Sequence, residues 1–209
     1  MSRPARLVVV TGTGTEVGKT WWTAALARAL RARGVAVAAR KPVQSYAPED
    51  DTTDAGVLAA ATGTDAYSVC PPARWLPRAM APPIAAAALG RPEFTIEDLV
   101  GGIEWPNDCA VGFVEGAGGV RSPLATDGDT TDLVRALEPD VVLVVAHAGL
   151  GVINGARSAL DALAGNTVVV ALNHFDRHDP VHQANHDWLV ARDALDVVIA
   201  PGELADRWA

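Results

Sequence analysis

A glycine-rich run that ends in a lysine and a threonine follows the first apolar segment of the chain, with the order TGTGTEVGKT over residues 11–20. Glycines let successive backbone N–H groups turn toward one anion, while a lysine reaches the β- and γ-phosphates and a hydroxyl binds Mg²⁺. Gly18, Lys19 and Thr20 supply this ending, although Gly12 makes the loop one residue longer than the usual GxxxxGK[ST] spacing. The run therefore predicts a site for the phosphates of a nucleotide.

A second lysine, Lys41, begins the segment KPVQS after the apolar run VAVAA. It would place a positive charge beside a transferred phosphoryl group, or else it is an exposed charge before Pro42. The acidic stretch that follows includes Asp51 and Asp54. Such a stretch is ordinarily the solvated start of a helix, but Mg²⁺ bound to phosphates takes one or two carboxylates from the protein. These residues alone leave both alternatives open.

A glutamate followed by small residues occurs in VEGAGGV over residues 114–120. Its glycines would let the backbone approach a ligand closely, and Glu115 stands where a Walker B acid holds a metal ion or its water. The alternative is a glycine-rich turn with an incidental acid.

Two weaker signals follow. The glycines of GLGVIN (149–154) leave N–H groups at a helix start, and Asn173 begins NHFD, one substitution from the guanine-reading NKxD.

Short apolar runs would position these residues, because each candidate lies at the end of one of them. We predict strands at residues 7–10, 35–40, 110–115, 140–146, 167–173 and 196–200. Apolar residues at every third or fourth position predict helices at 20–34, 52–63, 95–103, 131–138, 153–165 and 180–193. Residues 68–92 are expected to form an irregular connection. Because the runs are apolar on both faces, we expect an α/β fold with an open, mostly parallel sheet and helices on both faces. Ligands bind at the carboxyl ends of the strands in such a fold.

The composition favours a single domain over residues 1–209 that acts on a small molecule. With 49% hydrophobic residues the chain can bury a full core, and its net charge of −8 gives no electrostatic reason to bind nucleic acid or an anionic membrane. Cys70 and Cys109 lie in unrelated contexts and predict neither a disulfide nor a thiolate metal site. No apolar run approaches the ~20 residues that span a bilayer, so we expect a cytoplasmic location.

Two further groups of side chains have a functional and a structural interpretation, and for both we expect the structural one. A spacing of four residues, which would align zinc ligands on one helix, separates His174, His178, His182 and His186. Asp179 and Pro180 read as a helix start, so only the last two histidines would share a helix, and we expect a solvated polar face. Trp21 and Trp22 are expected to pack in the core and not to stack on a base.

Taken together and in this order, these segments resemble the dethiobiotin synthetase family of biotin biosynthesis. The resemblance covers nearly the whole chain and is carried by GTGTEVGKT, KPVQS, TDAGVL, MAPPIAA, VEGAGGVRSPL, GLGVIN and the asparagine of ALNHFD. The long phosphate loop is similar to that of the family, and VEGAGGVRSPL is the most specific element. The resemblance implies a P-loop NTPase-like fold.

The resemblance also implies a reaction. In the family, CO₂ adds to an amine of 7,8-diaminononanoate, the carbamate attacks the γ-phosphate of ATP, and the second amine closes a cyclic urea with release of phosphate. ATP would be the co-substrate and Mg²⁺ the cofactor. The enzyme would be a homodimer whose substrate site crosses the interface.

By the same resemblance, each motif implies a role for named residues. The catalytic residues would be Lys41, Lys19 and Thr13. The nucleotide would contact Gly14, Thr15, Glu16, Val17, Gly18, Lys19, Thr20 and Asn173. The diamine substrate would contact Ser45 and Gly118 and, from the other subunit, Gly151, Val152, Ile153 and Asn154. The ligands of Mg²⁺ would be Thr20, Glu115 and Asp54, which is preferred to Asp51 because TDAGVL carries the match.

Three other classes of protein share part of this pattern. A ParA/MinD-like switch ATPase, the alternative function, would carry an additional lysine early in its loop, where this chain has Gly, Thr and Glu, and would lack Lys41. Cobyrinate amidotransferases have elements like VEGAGG but need a glutamine-hydrolysing domain, for which 209 residues leave no room. A small GTPase would need a DxxG element and a true NKxD, and neither is found in place.

Overall fold

A computed structural model describes residues 3–209, in which strands and helices alternate along the chain. The strands are β1 (Arg6–Gly12), β2 (Val37–Arg40), β3 (Gln44–Ser45), β4 (Trp75–Leu76), β5 (Val111–Glu115), β6 (Pro123–Ala125), β7 (Gly128–Asp129), β8 (Val141–His147), β9 (Val168–Asn173) and β10 (Asp196–Val198). The helices are α1 (Lys19–Arg31), α2 (Asp54–Thr62), α3 (Ala66–Val69), α4 (Pro82–Ala88), α5 (Ile96–Gly101), α6 (Thr130–Leu137), α7 (Val152–Ala162), α8 (Pro180–Ala191) and α9 (Pro201–Trp208), and a 3₁₀ turn covers Pro72–Arg74.

The main sheet has six strands in the order β10, β9, β8, β1, β5, β2, and every neighbouring pair is parallel. They are the strands predicted from the apolar runs, so the expected α/β fold with an open parallel sheet is confirmed. Two small sheets, β3 with β4 and β6 with β7, lie outside it.

Alternate side chains of β1 enter two separate apolar layers, which is why its run LVVV has no polar face. Val8 and Val10 pack with buried side chains of α1, α2 and α9, whereas Leu7 and Val9 pack with those of α4, α5 and α6. All four side chains are at most 3% exposed. Helices therefore cover both faces of the sheet and leave the strand ends open to a ligand.

The strand order changes direction at β1, which has β5 on one side and β8 on the other. In open α/β sheets a ligand binds outside the carboxyl ends of the strands at such a switch point. The glycine-rich loop leaves β1 here, and Val10 of β1 is in register with Glu115 at the end of β5. The fold thus places the phosphate loop beside the strand end that carries the predicted acid.

The helices α4 and α9 were not predicted from the sequence. Helix α4 lies inside residues 68–92, which we expected to be irregular, and it buries Ala85 and Ala86. It begins at Pro82 and α9 begins at Pro201, because proline is tolerated in the first turn, where the N–H that it lacks has no helical partner. None of the helices within residues 3–209 is long and apolar enough to cross a membrane.

Candidate active site

The loop between β1 and α1 has a conformation that depends on its glycines. Gly18 has a φ of +93°, and a Cβ there would lie 2.0 Å from Nδ2 of Asn173. A Cβ on Gly12 would lie 2.6 Å from Cγ2 of Val17. Both positions favour glycine, because a Cβ does not approach other atoms so closely, and at Gly18 most side chains also disfavour the positive φ. The tight loop brings the first N–H groups of α1 to an anion-binding position.

Lys19, the first residue of α1, folds its side chain back over the loop. Its Nζ donates to the carbonyl oxygen of Gly14 at 3.1 Å. Burial lowers the pKa of Lys19, and the neighbouring Lys41 cation lowers it further. Because the surrounding protein disfavours the positive charge of Lys19, a nearby anion would stabilise this charge strongly. Lys19 is therefore suited to a contact with phosphate.

A threonine, a lysine and two acids meet beside this loop. Oγ1 of Thr20 donates to Oδ1 of Asp54 at 2.9 Å and lies 2.7 Å from Oε1 of Glu115. Nζ of Lys41 lies 2.6 Å from Oδ2 of Asp54 and 2.8 Å from Oε1 of Glu115. The same Nζ donates to the carbonyl oxygen of Gly116 at 3.2 Å. The structure therefore brings together the predicted metal ligands and one predicted catalytic lysine.

The charges of this cluster are fixed by their mutual contacts. Lys41 is 2% exposed and Glu115 is 0% exposed. Burial alone would lower the pKa of Lys41, but the carboxylates of Glu115 and Asp54 more than offset burial, and the pKa is raised. Burial alone would raise the pKa of Asp54, but the Lys41 ammonium and the Thr20 hydroxyl reverse the effect, and the pKa is lowered. At neutral pH the lysine is therefore a cation and Asp54 an anion.

Strand pairing places Lys41 beside Glu115. Arg40 at the end of β2 pairs with Val114 of β5, so the residue that follows each of them reaches the same edge of the sheet. A parallel pair ends on one side, which is why two side chains far apart in sequence meet there. The sheet thus positions the lysine and the acid, and the starts of α1 and α2 add Thr20 and Asp54.

Two polar side chains that the sequence analysis did not identify hold the acids in place. Thr23, which is 0% exposed, donates from Oγ1 to Oε2 of Glu115 at 3.0 Å. Oε1 of Gln44 accepts the N–H of Ala55 at 3.0 Å and so fixes the first turn of α2, where Asp54 lies. The position of Thr23 three residues after the threonine of GKT was an available signal, because such residues are neighbours on a helix. No pattern in the sequence indicates Gln44.

These groups face a pocket with a volume of about 810 Å³. The predicted site residues that line it are Thr15, Glu16, Gly18, Lys19, Thr20, Lys41, Ser45, Asp54 and Gly118. Asp51, the alternative to Asp54, is exposed and does not line it. The geometry therefore favours Asp54 as the acid from the TDAGVL motif.

The expectation that both tryptophans pack in the core is wrong for one of them. Trp22 is 1% exposed and belongs to the core, but Trp21 is 57% exposed and lines the pocket. Successive residues of an α-helix are rotated by about 100° around its axis, and this rotation turns Trp21 away from the core side on which Trp22 lies.

Two hydrogen bonds support the loop from behind. Nδ2 of Asn173, which is 5% exposed, donates to the carbonyl oxygen of Val17 at 3.0 Å. The backbone N–H of Thr13 donates to the carbonyl oxygen of Val145 at 3.0 Å. These contacts join the loop to the ends of β9 and β8, so a shift of either strand end would move the phosphate site.

The predicted residues 151–154 lie at the start of α7, beyond the end of β8. Gly151 is the residue before the helix and has a φ of +89°, and Leu150 next to it is 90% exposed. None of residues 151–154 lines the pocket. The structure therefore does not bring them together with Lys41 and Ser45 within one chain.

The evenly spaced histidines divide as the sequence predicted. His182 and His186 lie on α8, which begins at Pro180. Oδ1 of Asp179 accepts the N–H of Val181 at 2.8 Å and so caps the helix. Within residues 3–209, no group of three or more His, Cys, Asp or Glu side chains is arranged to hold a metal ion.

The chain is similar to known proteins over most of its length. Residues 6–192 match the model of a family described as an AAA domain. The ATP-dependent dethiobiotin synthetase of Haloferax mediterranei is 38% identical over 182 residues, which cover 84% of this chain and 75% of that protein. The corresponding protein of Rhodococcus jostii is 37% identical, with 92% of this chain and 84% of that protein covered. The corresponding protein of Mycobacterium avium is 37% identical, with 95% of this chain and 88% of that protein covered.

A solved structure adds to the comparison at the level of the fold. A nucleotide-binding protein from Archaeoglobus fulgidus, in complex with ADP, matches 97% of this chain and 86% of its own, with a TM-score of 0.53 and 12% identity. At that identity the likeness concerns the fold alone, which is of the P-loop NTPase type. The family follows from the identity to the relatives above and from the extent that they share. This chain belongs to the dethiobiotin synthetase family.

Proposed function

We propose that this chain is an ATP-dependent dethiobiotin synthetase that carboxylates 7,8-diaminononanoate with CO₂ and closes the ring. One observation carries the proposal beyond family membership: beside a phosphate loop, each of two carboxylates lies within 2.9 Å of both a threonine hydroxyl and a lysine ammonium. The pocket of about 810 Å³ in front of them has the size of a small-molecule site.

The proposed reaction has three steps. An amine of the diamine adds to CO₂, loses a proton and becomes a carbamate. A carbamate oxygen attacks the γ-phosphorus of ATP, the bond to the β–γ bridging oxygen breaks, and ADP leaves. The second amine then attacks the carbonyl carbon, and phosphate departs with the oxygen that had bonded to phosphorus. A cyclic urea remains.

The second step brings two anions together, and the site supplies the opposing charge. Lys41 is a buried cation that lines the pocket, and we propose that it contacts the carbamate and the γ-phosphate. Lys19 would leave the carbonyl oxygen of Gly14 for the β- and γ-phosphates. Thr13 would contact the reacting γ-phosphate. Such fixed charges lower the barrier because they need no reorientation as the transition state forms.

The donor set fits Mg²⁺, which takes oxygen ligands and, at phosphates, one or two protein carboxylates. Oδ1 of Asp54 and Oε1 of Glu115 both lie within 2.9 Å of the Thr20 hydroxyl, so three oxygen atoms lie close together. We propose that Thr20, Asp54 and Glu115 hold the ion. When bound, Mg²⁺ would supply positive charge to the β- and γ-phosphate oxygens.

The nucleotide would lie along residues 14–20, with its phosphates over the N–H groups of the loop. We propose that Asn173 contacts the base. One N–H of its Nδ2 already donates to Val17, so the second N–H and Oδ1 are left for the base. Because Oδ1 is an acceptor, it would pair with an amino group of the base.

The diamine would lie between Ser45 and Gly118 on the pocket wall. We propose that residues 151–154 of a second subunit bind its distal carboxylate, because N–H groups at the start of a helix favour a negative charge. Their distance from the pocket of their own chain and the exposure of Leu150 support a contribution across a homodimer. Light scattering should give twice the mass of 21.7 kDa, and a purely monomeric active enzyme would overturn the shared site.

One assay tests the activity. The protein is incubated with labelled bicarbonate, MgATP and 7,8-diaminononanoate, and the acid-stable label and the released phosphate are counted. We expect one phosphate for each fixed carbon, and no sustained phosphate release without the diamine. Phosphate release at a rate that does not depend on the diamine would instead favour a switch ATPase of the ParA/MinD type.

A further inference from the structure

Trp21 is a large apolar side chain that is exposed and lines the pocket of the proposed site. Its exposure is 57%, whereas Trp22 beside it is 1% exposed. The two rings meet edge to face, with centroids 6.2 Å apart and planes at 79°. Edge-to-face contact with a buried ring restrains the orientation of Trp21 and leaves an indole face toward solvent.

Trp21 lies near the start of α1, directly after the loop that would bind the phosphates of the nucleotide. It follows Thr20, which faces the proposed metal and phosphate site. It also lies three residues after Gly18, so the two are neighbours on one side of the helix start. Asn173 packs directly against Gly18, since a Cβ there would lie 2.0 Å from its Nδ2. A nucleotide whose phosphates follow the loop would therefore leave it near both Asn173 and Trp21.

Two other apolar residues of the pocket, Met80 and Pro82, belong to a different layer of the protein. Met80 and Pro82 lead into α4, whose buried alanines pack on the face of the sheet opposite to α1. Ser45, the proposed contact for the diamine, lies on β3, which pairs with β4. The aliphatic substrate thus has its own apolar wall on that side, and Trp21 remains for the nucleoside.

We propose that Trp21 is a stacking platform for the nucleoside of the triphosphate, in contact with the flat face of its base or with its ribose. The inference rests on the proposed function, which supplies the nucleotide. An indole face accepts any base, because every base offers a π-face, so Trp21 adds affinity without reading base identity.

The test compares the binding affinity of a nucleotide with that of tripolyphosphate, which has no nucleoside. Binding of MgADP and of magnesium tripolyphosphate is measured by calorimetry for the wild type, Trp21→Ala and Trp21→Phe. Trp188→Ala is the matched control, because Trp188 is also exposed, at 44%, but lies on α8. Loss of one base–aromatic stack should weaken MgADP binding by about tenfold in Trp21→Ala. Tripolyphosphate binding should stay unchanged, and Trp21→Phe and Trp188→Ala should bind MgADP nearly as the wild type does.

Fluorescence supplies a second readout that does not depend on affinity. MgADP should quench tryptophan emission in the wild type, and the quenching should be absent from Trp21→Phe at saturating MgADP. Equal losses for MgADP and tripolyphosphate in Trp21→Ala, or an effect on diamine binding alone, would overturn the stacking role. A wild type that binds MgADP but fixes no carbon would instead refute the synthetase activity and leave Trp21 as a nucleotide contact.

Discussion

Nζ of Lys41 lies 2.8 Å from Oε1 of Glu115, and both side chains are almost completely buried. Two charges removed from water cost several kcal/mol each, and only a close, fully hydrogen-bonded pair offsets that cost. Oδ2 of Asp54 lies 2.6 Å from the same Nζ, so one lysine faces two carboxylates. The net charge of these three side chains is −1. The remaining negative charge beside the Thr20 hydroxyl is what a divalent cation would neutralise.

The first prediction concerns Lys41→Gln, which keeps a polar side chain but removes the charge. Carbon fixation should fall by about 10²-fold to 10³-fold, because a positioned charge opposite the transferred group is lost. MgADP affinity should change little, since Lys19 and the loop N–H groups bind the phosphates of ADP. The rate of acid-stable label formation and calorimetry with MgADP measure the two quantities. A variant with unchanged turnover would refute the role of this lysine.

The second prediction concerns Thr23, whose hydroxyl holds Oε2 of Glu115. Thr23→Val keeps the shape but removes the donor, so the carboxylate can rotate away from the Thr20 hydroxyl. Loss of such an indirect support typically weakens metal affinity by about 10-fold to 100-fold. The Mg²⁺ concentration at half-maximal enhancement of ADP binding should rise by this factor, while metal-free ADP binding stays the same.

Thr23→Ser is the matched control for the hydroxyl. Serine retains the donor and loses only a methyl group, so its Mg²⁺ dependence should stay near that of the wild type. If Thr23→Ser and Thr23→Val require equally raised Mg²⁺, the methyl packing of Thr23 matters and its hydrogen bond does not. Thermal unfolding of the metal-free proteins shows whether either variant changes stability in general.

The third prediction concerns the pH dependence of the Lys41–Asp54 pair. The pKa of Asp54 is lowered from 3.8 in the folded protein, so its contribution to stability is present above that pH and lost as the pH falls further. The pKa of Lys41 is raised from 10.5, so its contribution is present below that pH and lost only in strong alkali. The coupling energy should therefore be constant between about pH 5 and pH 9 and should shrink below about pH 4.

A double-mutant cycle isolates this coupling. The free energy of unfolding in urea is measured for the wild type, Lys41→Met, Asp54→Asn and the double variant at each pH. The single substitution at Lys41 leaves two carboxylates beside each other, so it should be more destabilising at pH 7 than the double variant. A coupling energy that grows as the pH falls below 4 would contradict the assigned direction of the Asp54 shift.

The sequence predicts the fold and much of the site because both are encoded locally. Apolar runs give the strands, and each motif lies at a strand end. Lys41 and Glu115 meet because the strand order places β2 beside β5, which the apolar runs do not specify. The supporting contacts are different in kind. Thr23 contacts Glu115 across 92 residues of sequence, so its spacing after Thr20 indicates the side of α1 on which it lies but not the residue that it bonds. The contact of Gln44 depends on where α2 begins, which no local pattern records.

The last prediction separates two reasons why position 18 of the phosphate loop needs glycine: its positive φ and its close contact with Asn173. Gly18 and Gly34 have similar φ values, +93° and +81°, but a Cβ on Gly18 would lie 2.0 Å from Nδ2 of Asn173, whereas Gly34 has nothing within 4 Å. Gly34→Ala should therefore cost only backbone strain, about 1 kcal/mol in the free energy of unfolding, and bind MgADP normally.

Gly18→Ala adds the collision to the same strain. Asn173 must move, its hydrogen bond to Val17 breaks, and the loop shifts. Displacement of binding groups by about 1 Å can cost about 10²-fold, so we expect MgADP affinity to fall far more than in Gly34→Ala. Gly18→Ala combined with Asn173→Ala should recover part of the affinity, because the colliding side chain is gone. Equal MgADP affinities for Gly18→Ala and Gly34→Ala would mean that Asn173 does not brace the loop.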